Sequence, residues 1–370
     1  MNRRELDKYL RKALLRPVEP ESPAGRFRHF IAMPVMDELE ELPGTLASLR
    51  AALPPEVGVL LVVNHSPDTA PERKAHDLEL LKQLRQGVYP GVFWIDGASP
   101  GKELHKGVGE ARRIGMDTAL ACLPPDDLEN AIIVGLDADS PVSRDYWTLI
   151  SGWFRDHPNH GALSIRVRHR QGRTPEEETA IRKYEHFMQD YVDRLKAAGS
   201  PYAFFTIGSA MAVRASTYAA CGGMRVRSGG EDFYFMQAAA KVTQMGSLDE
   251  PVVYPAPRPS DRVPFGTGPA VRSLLAGEEL EVYSEEAFAA LKALLELVND
   301  DLRLPEWRSK LAPGTAAWLE NRGFFRIWPG VVKNTPQLPG ALPRAFHQWF
   351  DALKTLQFLR TILPGTGKEA

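Results

Sequence analysis

Asp137 and Asp139 stand two positions apart, just past the apolar run Ile132-Ile133-Val134-Gly135-Leu136. In an extended chain, side chains at i and i+2 face the same side, so the two carboxylates can converge. Paired carboxylates repel each other, and a hard cation such as Mg²⁺, Mn²⁺ or Ca²⁺ relieves that repulsion. The competing reading is a plain strand-to-turn boundary, where Asp and Ser are good turn formers. A second acidic pair, Glu231-Asp232, follows Gly229-Gly230 and opens a helical pattern. A carboxylate there gains ~0.3–1 kcal/mol from the helix dipole. It can also act as a general base, although the same dipole lowers its pKa and weakens it in that role.

Basic residues supply possible partners. Lys102, Lys106 and Arg112 lie in or near the Gly-rich entry to a long helical pattern, where phosphates could be met. Their alternative is a solvated basic face. Arg166, Arg168, His169 and Arg170 cluster at a strand end. They could hold a phosphate or carboxylate through the planar Arg fork, or be surface charge on an edge strand. Arg258, Asp261 and Arg262 fall in residues 255–269, a loop with five prolines and two glycines, which reads as a connector or a closing loop. Neither a Ser/His/Asp nor a Cys/His arrangement stands out.

These residues need a frame. Apolar strands at residues 30–35, 57–63, 91–95 and 132–136 alternate with helical patterns at 39–53, 78–84 and 101–123. That alternation predicts a mostly parallel sheet in a three-layer α/β/α arrangement. Ligands of such sheets bind outside the carboxyl ends of the strands. The polar clusters at Asp37-Glu38, 64–68, 96–99 and 137–140 all fall at those ends. Further on come a helix at 146–154, a strand at 162–167 and a charged helix at 175–198. Residues 204–213 read as a strand or paired strands, 216–220 as a helical turn, 233–242 as a helix and 252–254 as a short strand. From residue 270 the pattern is helical, in stretches 274–298, 304–322 and 343–363. The expected division is a helical arm and Pro-rich connector at 1–26, an α/β domain at 27–269 with halves 27–140 and 141–269, and a helical region at 270–370.

Bulk properties exclude several classes. The 370 residues are 44% hydrophobic and 25% charged with a net charge of −2, so nothing marks a nucleic-acid binder. Two cysteines, Cys122 and Cys221, cannot build a disulfide framework. No apolar run reaches the roughly 18 residues of a transmembrane helix, and the charged start lacks a signal-peptide core. A cytoplasmic protein is expected. The last helical stretch, with Phe346, Trp349, Phe350, Leu353, Leu356, Leu359 and Ile362, is apolar enough for core burial, a homodimer contact or a peripheral membrane contact; core burial is expected for the helix, and His347 on it reads as a packing or surface residue.

In order and spacing, the motifs over roughly residues 27–255 resemble the GT-A-fold family 2 glycosyltransferases. Met33-Pro34-Val35-Met36-Asp37-Glu38 matches the family's Pro-x-x-Asn-Glu opening, with Asp for Asn. Val63-Asn64-His65-Ser66-Pro67-Asp68 stands where the family has an Asp-rich turn for the nucleotide base, without the first Asp. Ala111-Arg112-Arg113-Ile114-Gly115 matches Ala-Arg-Asn-x-Gly, with Arg113 for Asn. Asp137-Ala138-Asp139 matches the metal motif, and Glu231-Asp232 the late acidic pair.

The resemblance implies a GT-A fold, with a Rossmann-like sheet and here a C-terminal helical extension. It implies a nucleotide-diphosphate sugar donor contacted by Pro34, Asp37, Glu38, Asn64, Asp68, Lys106, Arg112, Asp137 and Asp139. A divalent Mg²⁺ or Mn²⁺ would sit on Asp139 with Asp137, and Asp232 would be the general base with Glu231 orienting. The expected reaction is inverting transfer to an acceptor hydroxyl; the acceptor is open, and an anionic one would suit the 166–170 cluster. The alternatives are a retaining enzyme of the same fold, a sugar-phosphate nucleotidyltransferase and a non-catalytic nucleotide-sugar-binding module. The second is disfavoured because residues 34–42 contain no glycine to cradle a triphosphate. Some relatives add a late histidine to the metal; no histidine lies between His186 and His347, which leaves that ligand missing, replaced by Asp261 or supplied by His347.

Overall fold

A computed structural model describes residues 8–11, 27–227, 229–259 and 266–362. Apart from 8–11, the arm expected at 1–26 lies outside them, as do Asp261 and Arg262. The chain divides into two compact units, one of residues 1–185 and 204–278 and the other of 186–203 and 279–370.

The first unit is built on a seven-stranded sheet. The strands are β1 (His29–Val35), β2 (Val57–Asn64), β3 (Val92–Gly97), β4 (Ile132–Gly135), β5 (His160–Val167), β6 (Met211–Arg214) and β7 (Gln244–Val253). Their spatial order is β3-β2-β1-β4-β6-β5-β7. β6 runs antiparallel to both neighbours, and the other pairings are parallel. The helices are α1 (Leu42–Ala52), α2 (Pro71–Arg85), α3 (Gly107–Cys122), α4 (Tyr146–Asp156), the start of α5 (Pro175–Ala197), α6 (Ala215–Ala220), α7 (Glu231–Val242) and α8 (Thr267–Leu275).

Both faces of the sheet's centre are covered, which is why β1, β2 and β4 read as unbroken apolar runs. Ile31, Met33 and Val35 of β1, with Val57, Val59, Leu61 and Val63 of β2, share a core with Leu42, Leu46 and Leu49 of α1. Leu80, Leu81 and Leu84 of α2 and Tyr146, Ile150 and Phe154 of α4 complete it. On the other face α3 lies close to the sheet. A Cβ on Gly115 would come within 3.1 Å of Val62 and 3.4 Å of Ala32, so glycine sets that close approach. The expected three-layer, mostly parallel α/β architecture is present.

Strands β1, β2 and β3 step outward in one direction, and β4 returns to the other side of β1. That reversal is the topological switch point, where the loops leaving β1 and β4 part and open a crevice. Glu38 follows one strand and Asp137 and Asp139 the other.

The second unit is helical: the end of α5, then α9 (Glu285–Glu296), α10 (Pro313–Asn321), α11 (Phe324–Asn334), α12 (Ala341–Trp349) and α13 (Ala352–Thr361). Its core is aromatic, with Trp307, Trp318, Phe324, Trp328, Phe346, Phe350 and Phe358 buried together. Three of these carry an indole N–H that must be satisfied on burial. Trp307 donates to the Leu297 carbonyl at 2.7 Å, Trp318 to Thr361 Oγ1 at 2.8 Å and Trp328 to the Leu302 carbonyl at 2.8 Å. Burial pushes the His347 imidazole down to about 4, so it stays neutral in this core.

Several boundaries differ from expectation. The stretch 274–298 is two helices, because Gly277 takes a left-handed φ of +82° after α8. The stretch 343–363 breaks at Asp351, whose side chain caps α13 by accepting from the Lys354 N–H at 3.2 Å. Residues 101–106 are turn and loop, so α3 starts only at Gly107. β7 is ten residues long where three were expected, and β6 is shorter than the run 204–213.

Candidate active site

Asp137 and Asp139 lie just beyond β4, on a turn in which the Ser140 N–H bonds to the Asp137 carbonyl at 3.2 Å. The strand periodicity therefore stops one residue early. Ala138 between them is buried, and its carbonyl accepts from Thr45 Oγ1 at 2.8 Å, which ties the turn to α1. The two carboxylates engage different arginines.

Asp137 Oδ1 is 2.7 Å from Nη2 of Arg112, an ion pair without hydrogen-bond alignment. The same guanidinium donates from Nε to Glu231 Oε1 at 3.0 Å and from Nη1 to the Gly208 carbonyl at 2.8 Å. Arg112 is buried, and all three of its nitrogen positions are committed to the protein. Burial alone would lower its pKa, but Asp137, Glu231 and Asp232 outweigh that and raise it. The position depends on a glycine: a Cβ on Gly208 would meet Arg112 Nη2 at 2.3 Å. Gly208 lies just before β6, whose antiparallel pairing sets Met211 opposite Gly135 at the end of β4.

Asp139 Oδ2 is 3.4 Å from Nη2 of Arg258, and the same nitrogen pairs with Oε1 of buried Glu38. Arg170 stands close by, bonding Glu41 at 2.7 Å and reaching the Asp139 carbonyl at 3.4 Å. Each of two guanidiniums, Arg112 and Arg258, is thus shared by two carboxylates.

Asp232 opens α7 beside this network and is half-buried; its Oδ1 accepts its own helix's Phe233 N–H at 2.7 Å. Burial, with the neighbouring charges of Glu231 and Asp137, raises its pKa against the pull of Arg112 and of that N–H bond. Desolvation therefore overrides the helix dipole, and the weakening of this carboxylate expected from its place on the helix does not occur. Next to it, burial pushes the Tyr184 hydroxyl up to about 12, with Thr267 and Asp232 as its near polar neighbours. Thr267 Oγ1 is 3.5 Å from Nε2 of buried His169, whose Nδ1 contacts Glu185 at 3.0 Å. Burial would raise Glu185, but bonds from His169 and Arg182 bring it down to about 2.

The other residues singled out by motif are spread along the strand ends. Pro34 sits in β1 beyond the last residue paired with β4, where its missing N–H is not needed. Asp37 has φ +58°, the one positive φ outside glycine among the described residues. Its N–H donates to buried Asp77 at 2.8 Å, while its carboxylate turns to His76 at 2.7 Å and Arg73 at 3.4 Å on α2. Asn64 ends β2 buried, and its side-chain oxygen has no hydrogen-bond partner among the described residues. Asp68 is exposed on the following turn, and Lys106 is exposed at the start of α3. Lys102 lies 3.3 Å from Asp96.

The cluster at 166–170 is divided. Arg166 and Arg168 are exposed, whereas His169 and Arg170 turn to Glu185 and Glu41. β5 is moreover not an edge strand, since it lies between β6 and β7. Sequence reasoning missed the Gly208 cradle, the Tyr184–Thr267 wall and the contact of Arg258 with Asp139 and Glu38. None has a local signature, because each joins segments dozens of residues apart or more.

No family model matches the chain, and no curated protein matches it. Solved structures do. The chain is similar to TarS 1–349 of S. aureus in complex with UDP-GlcNAc, at 15% identity and a TM-score of 0.43, covering 92% of this chain and 82% of that one. It is similar to the mannosyltransferase PcManGT from Pyrobaculum calidifontis in complex with GDP-Man and Mn²⁺, at 17% identity and a TM-score of 0.44, over 94% of each chain. It is also similar to glucosyl-3-phosphoglycerate synthase from Mycobacterium tuberculosis in complex with phosphoglyceric acid, at 15% identity and a TM-score of 0.41, over 71% of this chain and 88% of that one.

Proposed function

We propose that this protein is a glycosyltransferase moving a sugar from a nucleotide-diphosphate donor to an acceptor hydroxyl with inversion, using Asp232 as the general base. The observation that carries the reading is the grouping of Asp137, Asp139, Glu38, Glu231 and Asp232 around Arg112 and Arg258, next to the β1/β4 switch point. The order of motifs along the chain agrees with it.

A divalent cation suits the hard carboxylate oxygens of Asp137 and Asp139, and because no group of three or more carboxylate, histidine or cysteine ligands gathers there among the described residues, the donor's own phosphates would have to complete its shell. When bound on Asp139 and Asp137, Mg²⁺ or Mn²⁺ would supply Lewis-acid neutralisation of the departing diphosphate. The protein's own residues do the rest. Arg112 holds Asp137 and Glu231 in place. Asp232, with its raised pKa, takes the proton from the acceptor hydroxyl as that oxygen attacks the sugar carbon and the bond to the diphosphate breaks. Tyr184 and Thr267 give the same region hydroxyl groups with which to orient an acceptor.

Asp232→Asn tests the assignment. Donor binding should persist within a few-fold, while transfer should fall by roughly 10²–10⁴-fold, the usual worth of a positioned base. Full transfer activity in this variant would refute the base role.

A further inference from the structure

Arg258 occupies a place that the proposed reaction assigns to a cation. Its guanidinium reaches two carboxylates on different loops, Glu38 after β1 and Asp139 after β4. Glu38 is buried, Asp139 is mostly so, and Arg258 keeps a quarter of its side chain exposed. Its Nε is buried and has no hydrogen-bond partner among the described residues. Arg112 differs: all of its nitrogen positions are used, so it is a fixed part of the wall.

We propose that Arg258 is a resident counter-ion of Asp139 that competes with the divalent cation and, once displaced, turns to the donor's diphosphate. This rests on the glycosyltransferase reading. A divalent ion reaching Asp139 meets a positive charge a few ångströms away, and two like charges at such range repel strongly in a partly buried site. The cation therefore binds more weakly by itself than it would without Arg258. Arriving with a diphosphate, it brings the negative charge that the released guanidinium needs, and a guanidinium fork suits phosphate oxygens. Arg258 thereby couples metal binding to donor binding.

The test uses the full-length protein and two uncharged variants, Arg258→Met and Arg258→Gln, each checked for an intact melting transition. Mn²⁺ alone is titrated by the electron paramagnetic resonance of the free ion. UDP, GDP, ADP and dTDP are titrated calorimetrically in excess Mn²⁺. The variants should bind Mn²⁺ alone about tenfold tighter, and the preferred diphosphate about tenfold weaker, in line with the loss of a charge-assisted hydrogen bond. A merely structural tie would weaken both, and unchanged or weaker Mn²⁺ binding in the folded variants overturns the proposal. If the wild-type protein binds no nucleoside diphosphate with Mn²⁺, the glycosyltransferase reading fails as well. If it binds that pair and neither variant gains affinity for Mn²⁺ alone, only the role of Arg258 fails.

Discussion

Arg112 shows how little of a side chain's role its motif conveys. Its place in Ala111-Arg112-Arg113-Ile114-Gly115 points to phosphate, yet its guanidinium is used on Asp137, Glu231 and the Gly208 carbonyl. It shapes the site by holding carboxylates. Gly208 makes this arrangement possible, so Gly208→Ala should push the guanidinium away from the backbone. We expect that variant to lose about 1–3 kcal/mol of stability in urea denaturation, as overpacked sites do, and to lose the proposed sugar transfer with it. Wild-type stability with unimpaired transfer would show that the close contact has no role. Asp232 is the reverse case, legible by position but wrong in the expected electrostatics. The sequence shows a carboxylate on a helix N-terminus; burial and Glu231, which reverse the effect on its pKa, come only from the packing.

At the level of elements, the ends of β1 and β2 are joined through a buried acid. Asp77 on α2 accepts the N–H of Asp37, in its left-handed conformation, at 2.8 Å and lies 3.1 Å from His65 Nδ1. Burial pushes Asp77 up to about 7 and keeps His65 below its ordinary value. Because the folded pKa of Asp77 exceeds the unfolded one, the folded state holds a proton that the unfolded state has already released between pH ~4 and ~7. The stability this provides is full below pH ~4 and is lost as pH rises through about 7. Asp77→Asn retains an acceptor for the Asp37 N–H and a donor for His65 while removing the titration. Its stability relative to wild type should rise between pH ~4 and ~7 in denaturant titrations, by an amount on the order of a few kcal/mol at most. A difference independent of pH would rule out the buried proton. The buried pairing of Asp77 with His65 could not be read from the sequence, since an acid and a histidine twelve residues apart look like ordinary surface polarity. The buried strands β1, β2 and β4 were legible because both their faces are covered. β7 was not, because Ser247, Asp249, Glu250 and Pro251 interrupt its pattern on an edge strand half exposed to water. Helix α11 was hidden for a similar reason: Pro329 and Gly330 read as breakers, yet Pro329 is accommodated inside the helix.

At the scale of the whole chain, the sequence suggests a simple division near residue 270, whereas the second compact unit also takes residues 186–203. The last turns of α5 contribute Tyr191 and Leu195, and the residue just after it Ala198, to the aromatic core formed with Phe288, Trp318 and Phe358. A truncation ending at residue 278 would expose these side chains. It should therefore bind 8-anilinonaphthalene-1-sulfonate and aggregate in size-exclusion chromatography, while Trp318→Phe in the full chain remains monodisperse; a soluble truncated chain that binds no dye would contradict the shared core. The pattern of residues 175–198 reads as one charged helix, and nothing in it marks where one core ends and another begins. The switch point, the arginine-bridged carboxylates and the raised Asp232 carboxylate share one use if a nucleotide sugar binds there, as proposed. A calorimetric screen of UDP-, GDP-, ADP- and dTDP-sugars, with Mn²⁺ and again with a chelator, tests that claim most directly. Saturable binding of one nucleotide class with Mn²⁺, weakened at least tenfold in chelator, is expected, and no binding by any donor under either condition would refute the glycosyltransferase reading.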